Sequence, residues 1–349
     1  MERHEDRSAV LAFDVGGANI KAADGLGWAA SESFPLWRQP EILADTLARI
    51  VAERRPRRIV ATMTGEIADC FSSREIGVQH IVTAIEAAAE AGCPRATVGI
   101  YRVDGTIVPP AAVRDRPLLA AAANWHAMAR LAAAHTTAER TFAVDVGSTT
   151  TDIVPVVGRV PAPLARDDVG RLATGELVYT GVERTPVAAL VRSLPWPGLG
   201  PGRRPVASER YADSRDVWIL LGGIPEDETT RDTADGRPAT QAAARARLAR
   251  MVLADPDTVS AADARGAAEW CARAQARTVA RALDRVGRAV GWRPARVVLS
   301  GHGICLARRS LEQLGWPVET IVLPDRLGQD VSRAACAHAL ALIDRGLLS

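Results

Sequence analysis

The chain has 349 residues, of which 48% are hydrophobic, and this length predicts two domains of ordinary size rather than one core. Its formal net charge is +2, with arginines spread among acids, and no uncharged apolar run approaches the roughly 20 residues of a bilayer span, so neither nucleic acid nor a membrane is an expected partner. The five cysteines form no CxxC pair, so neither a disulfide framework nor a cysteine-based zinc site is expected.

The first residues of the chain, 1–8, are charged and polar and lack the apolar core of a signal peptide, so we expect a cytoplasmic protein. Residues 11–13 are then predicted as a strand, Asp14-Val15-Gly16-Gly17 as a turn, and residues 20–23 as the returning strand. This pattern indicates a hairpin, not the strand-to-helix step of a Rossmann unit.

Downstream of this hairpin, strands and helices alternate. The predicted elements are helices at 41–54, 76–91 and 118–134, a strand at 58–63, and an extended segment at 96–108 that turns at Asp104-Gly105. Alternation of this kind is typical of an α/β layer structure.

A second hairpin follows, with a strand at 141–144, the turn Asp145-Val146-Gly147-Ser148 and a returning strand at 150–157. The segments FDVGGANIKAA and VDVGSTTTDIV align with each other at a spacing of about 130 residues. A repeat at that distance indicates duplicated domains rather than a solenoid.

The remainder of the chain begins with an irregular stretch, 161–202, and a polar loop, 225–240. Predicted elements then follow in order: helices at 241–253 and 260–290, a strand at 296–299, the turn Gly301-His302-Gly303, a helix at 304–314, a strand at 320–323 and a helix at 330–345. The third turn delivers two glycines to a helix N-terminus, a natural anion site.

Glycine turns of this form let backbone N–H groups converge on phosphate oxygens, since glycine has no Cβ and permits positive φ. The predicted phosphate-binding residues are Gly16, Gly17, Asn19, Gly147, Ser148, Thr149, Thr150, Gly301 and Gly303. An aspartate in such a turn repels phosphate unless a cation lies between them. Asp14 and Asp145 are therefore predicted to hold Mg²⁺, with Asp152 as a further carboxylate.

The three turns together resemble the phosphate-1, phosphate-2 and adenosine motifs of the sugar kinase, heat-shock and actin superfamily, in the expected order. The resemblance implies the α/β actin-like ATPase (ribonuclease H-like) fold, with two lobes and a central ligand cleft. The implied lobes are residues 8–140 and 141–329, with an insertion around 161–240 and the C-terminal helix, 330–349, packing back on the first lobe.

Lys21 is the only lysine of the chain and lies in the first hairpin. A compact ammonium suits a diphosphate as a point charge, and arginine would not replace it freely. The alternative is a side chain that simply covers a strand surface.

Three further segments have a narrower resemblance: TMTGEIAD at 62–69, RLATGELVYTGVERTP at 171–186 and TADGRPAT at 233–240. They resemble the hydantoinase/oxoprolinase-related proteins of tetrahydromethanopterin-linked one-carbon pathways, and within that group the synthases of methanofuran biosynthesis. The resemblance implies a transferase that joins a furanylmethyl diphosphate to the phenol of γ-glutamyl-tyramine and releases pyrophosphate.

For that reaction the resemblance implies Lys21, Glu66 and Asp145 as catalytic residues, with Glu66 taking the phenol proton. Further substrate contacts are expected at Thr64, Arg171, Arg184 and Arg237. Asp235 is expected to join the metal shell. The alternative for the loop of Asp235 and Arg237 is an ordinary solvated segment.

Two other functions remain open at this level, because one fold hosts many activities. One is an ATP-dependent kinase or cyclic-amide hydrolase, in which the loops bind ATP. The other is a non-catalytic nucleotide-binding protein. Small molecules are the expected partners of a transferase and of a kinase or hydrolase. A homodimer is one possible assembly.

Overall fold

The computed structural model describes residues 10–348, and its first part is a six-stranded mixed sheet flanked by helices. The strands are β1 (Val10–Val15), β2 (Asn19–Ala23), β3 (Ala29–Ser33), β4 (Arg58–Met63), β5 (Thr97–Tyr101) and β6 (Ile107–Val108). The helices are α1 (Leu43–Arg54), α2 (Arg74–Gly92), α3 (Pro110–Asp115) and α4 (Asn124–Ala134). The strand order is β3-β2-β1-β4-β5-β6.

The second part builds a second sheet and a larger set of helices. The strands are β7 (Arg140–Val146), β8 (Thr151–Val157), β9 (Val160–Pro161), β10 (Leu177–Val178), β11 (Ser193–Pro195), β12 (Arg203–Pro205), β13 (Arg296–Ser300) and β14 (Glu319–Val322). The helices are α5 (Asp168–Thr174), α6 (Val187–Leu190), α7 (Ser214–Leu221), α8 (Gln241–Arg250), α9 (Ala261–Val290), α10 (Ile304–Leu314), α11 (Leu323–Leu327), α12 (Gln329–Arg333) and α13 (Ala335–Asp344).

The two sheets repeat one strand arrangement. In the first, β1 pairs antiparallel with β2 and parallel with β4, and β4 pairs parallel with β5. In the second, whose order is β10-β8-β7-β13-β14, β7 pairs antiparallel with β8 and parallel with β13, and β13 pairs parallel with β14. The expected actin-like α/β fold is therefore present, and we call the residues around each sheet a lobe.

Two alanine-rich helices separate the sheets. Helix α13 packs on β1, β2 and β4, α4 packs on β7 and β8, and the two helices pack on each other. Their apolar faces share one buried cluster with alternate residues of both sheets, among them Ala12 and Val60 from the first and Ala143 and Val298 from the second. Side chains two residues apart on a strand lie on the same face of the sheet. Residues at the strand ends that share a face with Ala12 or Ala143 therefore point into the gap between the lobes.

The outer faces of the sheets are covered by the remaining helices. Helices α1 and α2 bury the opposite face of the first sheet, and α7, α9 and α10 bury that of the second. Among residues 10–348 no helix combines the length and the apolar character needed to cross a bilayer. Even the longest, α9, carries charged residues along its exposed face.

Several predicted boundaries were wrong. The helix predicted at 118–134 begins only at Asn124, because Ala122 adopts a positive φ of 47° that interrupts it. The final helix predicted at 330–345 is divided at Ala334 into α12 and α13. Strand β3 was not predicted, and the irregular stretch after β8 contains α5, which starts with Asp167 accepting a hydrogen bond from the Gly170 amide.

Candidate functional site

The first hairpin aspartate lies at the carboxyl end of a central strand, β1. Asp14 stands opposite Lys21 on β2 and Thr62 on β4. Cross-strand neighbours project from the same face of a sheet, and residues two apart along a strand share that face. Asp14, Lys21 and Thr62 therefore point to the side of Ala12, which faces the second sheet.

The second sheet repeats this arrangement at its own central strand, β7. Asp145 stands opposite Asp152 on β8 and Ser300 on β13. The Ser300 hydroxyl donates a hydrogen bond of 2.6 Å to Asp145 Oδ1. Asp145 shares its face with Ala143, which belongs to the apolar cluster between the sheets, so the two hairpin aspartates look into the same gap.

Electrostatic coupling joins the two aspartates. Asp14 is 4% exposed, and its Oδ1 has no hydrogen-bond partner among the described residues. Burial raises the pKa of Asp14, the Lys21 ammonium opposes that rise, and the Asp145 carboxylate adds to it. A buried carboxylate oxygen of this kind is stabilised by a ligand, a cation or an ordered water that offsets its desolvation.

Lys21 is the cross-strand neighbour of Asp14 and a cation that acts on its carboxylate. Burial alone would lower the pKa of its ammonium, but Asp14, Cys336, Asp145 and Glu183 raise it, and the raised direction prevails. Lys21 is therefore a partly buried, protonated ammonium in the gap between the lobes. It does not lie on an exterior strand surface.

Each hairpin turn is closed by one backbone hydrogen bond. The Gly16 amide donates to the Asn19 carbonyl and the Gly147 amide to the Thr150 carbonyl, both at 2.9 Å. Gly16, Gly17 and Gly147 do not adopt the positive φ that glycine permits. A side chain at Gly16 would come within 3.0 Å of the Asn19 carbonyl, whereas Gly17 faces open space, so these glycines provide close approach and access.

A second backbone segment supports each hairpin from the neighbouring strand. The Thr64 amide donates to the Val15 carbonyl at 2.9 Å, and the Gly303 amide donates to the Val146 carbonyl at 3.0 Å. Gly301 does require its glycine: its φ is +79°, and a Cβ would lie 2.2 Å from the Val146 carbonyl oxygen. Thr64 and the third glycine turn thus occupy matching places beside the two hairpins.

Sequence reasoning missed Glu183, although it lies in the quoted segment 171–186. The amides of Glu183 and Arg184 both donate to the Ser148 carbonyl at 3.0 Å, which fixes this segment on the second hairpin. The Glu183 carboxylate contacts His302 Nε2 at 3.1 Å and also pairs with Arg215. Burial would raise the pKa of Glu183, but the contacts with His302 and Arg215 hold it below its ordinary value.

Arg171 and Asp152 form a buried ion pair. Arg171 is 1% exposed, its Nη2 lies 2.9 Å from Asp152 Oδ1, and its guanidinium stacks 4.1 Å from the Trp125 ring centre. Burial raises the pKa of Asp152 to about 6, against the lowering effect of Arg171. Each residue supplies the counter-ion of the other, and the roles of Arg171 in substrate binding and of Asp152 in metal binding stay predictions.

Glu66 and Arg74 connect the lobes on another side of the gap. Arg74 Nη2 lies 2.6 Å from Glu66 Oε1 and 2.9 Å from Asp168 Oδ2 on α5. Glu66 is buried, and its Oε2 has no hydrogen-bond partner among residues 10–348. Burial raises the pKa of Glu66, although Arg74 opposes the rise.

The predicted residues of the acidic loop lie elsewhere. Asp235 Oδ1 accepts from Arg247 Nη1 at 2.9 Å, and Asp235 also pairs with Arg250. Arg237, whose side chain is 57% exposed, contacts Asp235 at 3.8 Å. Neither residue is joined to the hairpins by these contacts, so the expected contributions of Asp235 to a metal shell and of Arg237 to substrate are not supported by their placement.

The fit of the site to Mg²⁺ depends on how many carboxylates remain free. Within the described part of the chain no three His, Cys, Asp or Glu side chains converge as a ready metal cage. Mg²⁺ usually keeps several waters and binds through one or two carboxylates and substrate phosphates. Asp14, with its unpartnered oxygen, and Asp145 fit that requirement.

Comparison with known proteins agrees with the motif resemblance. The hydantoinase/oxoprolinase family model matches residues 57–339. This chain belongs to the hydantoinase/oxoprolinase family.

Two curated relatives have one name, (4-{4-[2-(gamma-L-glutamylamino)ethyl]phenoxymethyl}furan-2-yl)methanamine synthase. The protein of Methanocaldococcus jannaschii is 28% identical over 335 residues, which cover 95% of this chain and 96% of the relative. That of Methanococcus vannielii is 28% identical over 202 residues, covering 57% of this chain and 88% of the relative. Both relatives are named as enzymes, and we class this chain as an enzyme.

The chain is also similar to solved structures at low sequence identity. One is a ROK family glucokinase from Streptomyces griseus in complex with glucose and AMPPNP, with 14% identity, a TM-score of 0.45, and coverage of 97% of this chain and 99% of that chain.

Proposed function

We propose that the chain is a transferase of methanofuran biosynthesis. It would condense (5-aminomethylfuran-3-yl)methyl diphosphate with the phenol of γ-glutamyl-tyramine and release pyrophosphate. The single observation that carries the proposal is the position of Lys21, a protonated ammonium between two glycine hairpins whose aspartates face one gap. The name of the two relatives, which contains both a furan and a phenoxymethyl group, supports the choice of substrates.

The chemistry requires stabilisation of a leaving pyrophosphate. The bond between the furanylmethyl carbon and the diphosphate oxygen breaks, and its electron pair goes to pyrophosphate. The furan ring delocalises the positive charge that remains on carbon. Lys21 and the amides of the two turns stabilise the negative charge that develops on oxygen, which is the usual source of a large rate effect.

The acceptor oxygen then forms the ether bond. The phenol oxygen bonds to the furanylmethyl carbon, and its proton passes to a carboxylate. Glu66 is our proposed acceptor, because its Oε2 is unpartnered and its pKa is raised by burial. A carboxylate with a raised pKa is a better general base near neutral pH.

Asp14 and Asp145 are the residues that would hold Mg²⁺ beside the diphosphate. Bound there, the cation would supply charge neutralisation for the leaving group. The proposed site does not include four residues that form ion pairs with other side chains, namely Asp152, Asp235, Arg171 and Arg237.

The test is product formation without nucleotide. Purified enzyme, both proposed substrates and Mg²⁺ are expected to give the ether and pyrophosphate in equal amounts, measured by mass spectrometry and a pyrophosphate assay. Ether that forms only after addition of ATP would support the kinase alternative. Folded enzyme that gives no ether under either condition would contradict the proposal.

A further inference from the structure

One cation–π contact joins the two lobes at the hairpins. The guanidinium carbon of Arg184, in the second lobe, lies 5.1 Å from the ring centre of Trp37, in the first. Trp37 is partly buried and follows β3 in the chain. A cation within about 6 Å of an aromatic centre is attracted by the electron density of the ring face, so Trp37 presents a face that binds positive charge.

Both partners are fixed to the glycine turns by backbone hydrogen bonds. Next to Trp37, the Leu36 amide donates to the Gly17 carbonyl at 3.0 Å. On the other side, the Arg184 amide donates to the Ser148 carbonyl at 3.0 Å. The Trp37–Arg184 contact therefore bridges the first turn and the second turn, where the diphosphate is proposed to bind.

The Arg184 guanidinium is available to an incoming anion. Its charge acts on Glu183, which already has His302 and Arg215 as direct partners. A diphosphate offers a guanidinium two oxygens in a bidentate, charge-assisted geometry, which competes with the cation–π contact between the partly buried Trp37 and Arg184 side chains. Binding of a diphosphate would thus draw Arg184 off the indole and leave its face open.

We propose that Trp37 is the aromatic surface that receives the furan ring and stabilises its positive charge when the carbon–oxygen bond breaks. This inference rests on the proposed function. Arg184 occupies the position of that cation before substrate binds and then turns to the diphosphate. The bond changes are those already given: carbon–oxygen cleavage with the electron pair on pyrophosphate, capture by the phenol oxygen, and transfer of the phenol proton to Glu66.

The first experiment tests the movement of Arg184 and needs no organic substrate. Inorganic pyrophosphate with Mg²⁺ is titrated into wild type, Trp37→Phe and Arg184→Gln while tryptophan fluorescence is recorded. Wild type is expected to show a saturable change that both variants lack. The same change in Trp37→Phe as in wild type would overturn the proposed exchange, whether or not the protein proves to be the transferase.

The second experiment measures single-turnover pyrophosphate release from the furanylmethyl diphosphate. The rate is expected to fall in the order Trp, Tyr, Phe, Leu at position 37, with a total loss of about 2- to 30-fold, the range of one cation–π interaction. Trp37→Phe retains an aromatic ring and protects the test against misfolding of Trp37→Leu. Equal rates across the series would overturn the role of Trp37.

A matched control is available in the same lobe. Trp28 carries the Arg54 guanidinium 4.2 Å from its ring centre, and these two residues belong to the β2–β3 turn and the end of α1, away from the hairpin turns. Trp28→Phe weakens an equivalent cation–π contact to the same degree as Trp37→Phe and is expected to release pyrophosphate at the wild-type rate. A loss as large as that of Trp37→Phe would contradict a specific role for Trp37.

Failure of wild type to make ether, with the fluorescence change intact, would remove the proposed function and leave the exchange of Arg184 between Trp37 and the anion standing.

Discussion

Lys21 and Asp152 occupy equivalent positions in the two hairpins. Each is the cross-strand neighbour of the hairpin aspartate, Asp14 in the first and Asp145 in the second. The duplicated position therefore carries opposite charges in the two lobes. Arg171 neutralises Asp152, whereas Lys21 remains among carboxylates in the gap, so a diphosphate would meet one compact cation.

Replacement of Lys21 tests that charge. Lys21→Met is expected to lower kcat/KM for the diphosphate by about 100- to 1000-fold, the usual effect of losing one donor to a developing oxyanion. Lys21→Arg is expected to recover only a small part, because a planar guanidinium does not match a point-charge site. Kinetics on variants with unchanged circular dichroism would check this, and full activity of Lys21→Met would contradict it.

The buried ion pair makes a prediction about stability. Asp152→Asn leaves Arg171, which is 1% exposed, without its counter-ion, and is expected to cost about 3–5 kcal/mol in the free energy of unfolding. The double variant Asp152→Asn/Arg171→Met removes both charges and should recover most of that loss. Urea denaturation of wild type, Asp152→Asn, Arg171→Met and the double variant measures the cycle. A double variant no more stable than Asp152→Asn would refute the pairing.

Glu66 makes a prediction about pH. Its pKa is raised by burial, and a general base must be ionised to act. Activity in ether formation is therefore expected to fall as the pH drops through this raised pKa, at a higher pH than an exposed glutamate would give. Glu66→Gln should form ether slowly and lack that acidic limb. An unchanged pH–rate profile in Glu66→Gln would show that a group other than Glu66 accepts the phenol proton.

Gly181 tests the support of the second hairpin. A Cβ at Gly181 would lie 2.5 Å from the Gly147 carbonyl oxygen and 2.6 Å from the Ser148 backbone, so Gly181→Ala must displace the turn. We expect a loss of about 1–3 kcal/mol in stability, together with weaker pyrophosphate binding by calorimetry. Gly266→Ala is the control: it lies on an exposed face of α9 with no atom within 4 Å and should stabilise by about 0.5–1 kcal/mol. Equal pyrophosphate affinity in both variants would contradict the proposed role of the turn.

Local pattern predicted the repeated part of the fold well. The strand Arg58–Met63 and the helix Ile304–Leu314 have the predicted bounds, because their apolar spacing and flanking turns agree. The interruption at Ala122 and the break at Ala334 escaped prediction, since alanine favours helix locally and the sequence around each carries no helix-breaking residue.

The candidate site was predicted only in part for a related reason. The local strand–turn–strand pattern predicted that Asp14, Lys21 and Asp145 lie in glycine hairpins. In the fold, these hairpins face one gap. Arg171 looked like a substrate contact because its partner, Asp152, lies on a different element. Trp37 carries no local signal of function, and Glu183 is not distinguished from its neighbours within the segment 171–186. The relevance of both residues comes from contacts made in the folded chain.

The central claim is that the two glycine hairpins, one from each lobe, share a single diphosphate. A crystal structure of the protein with pyrophosphate and Mg²⁺ tests it most directly. We predict one pyrophosphate that accepts hydrogen bonds from amides of both turns and from Lys21, with Asp14 and Asp145 on the cation. Pyrophosphate bound at one turn alone, or outside the gap between the lobes, would contradict the claim.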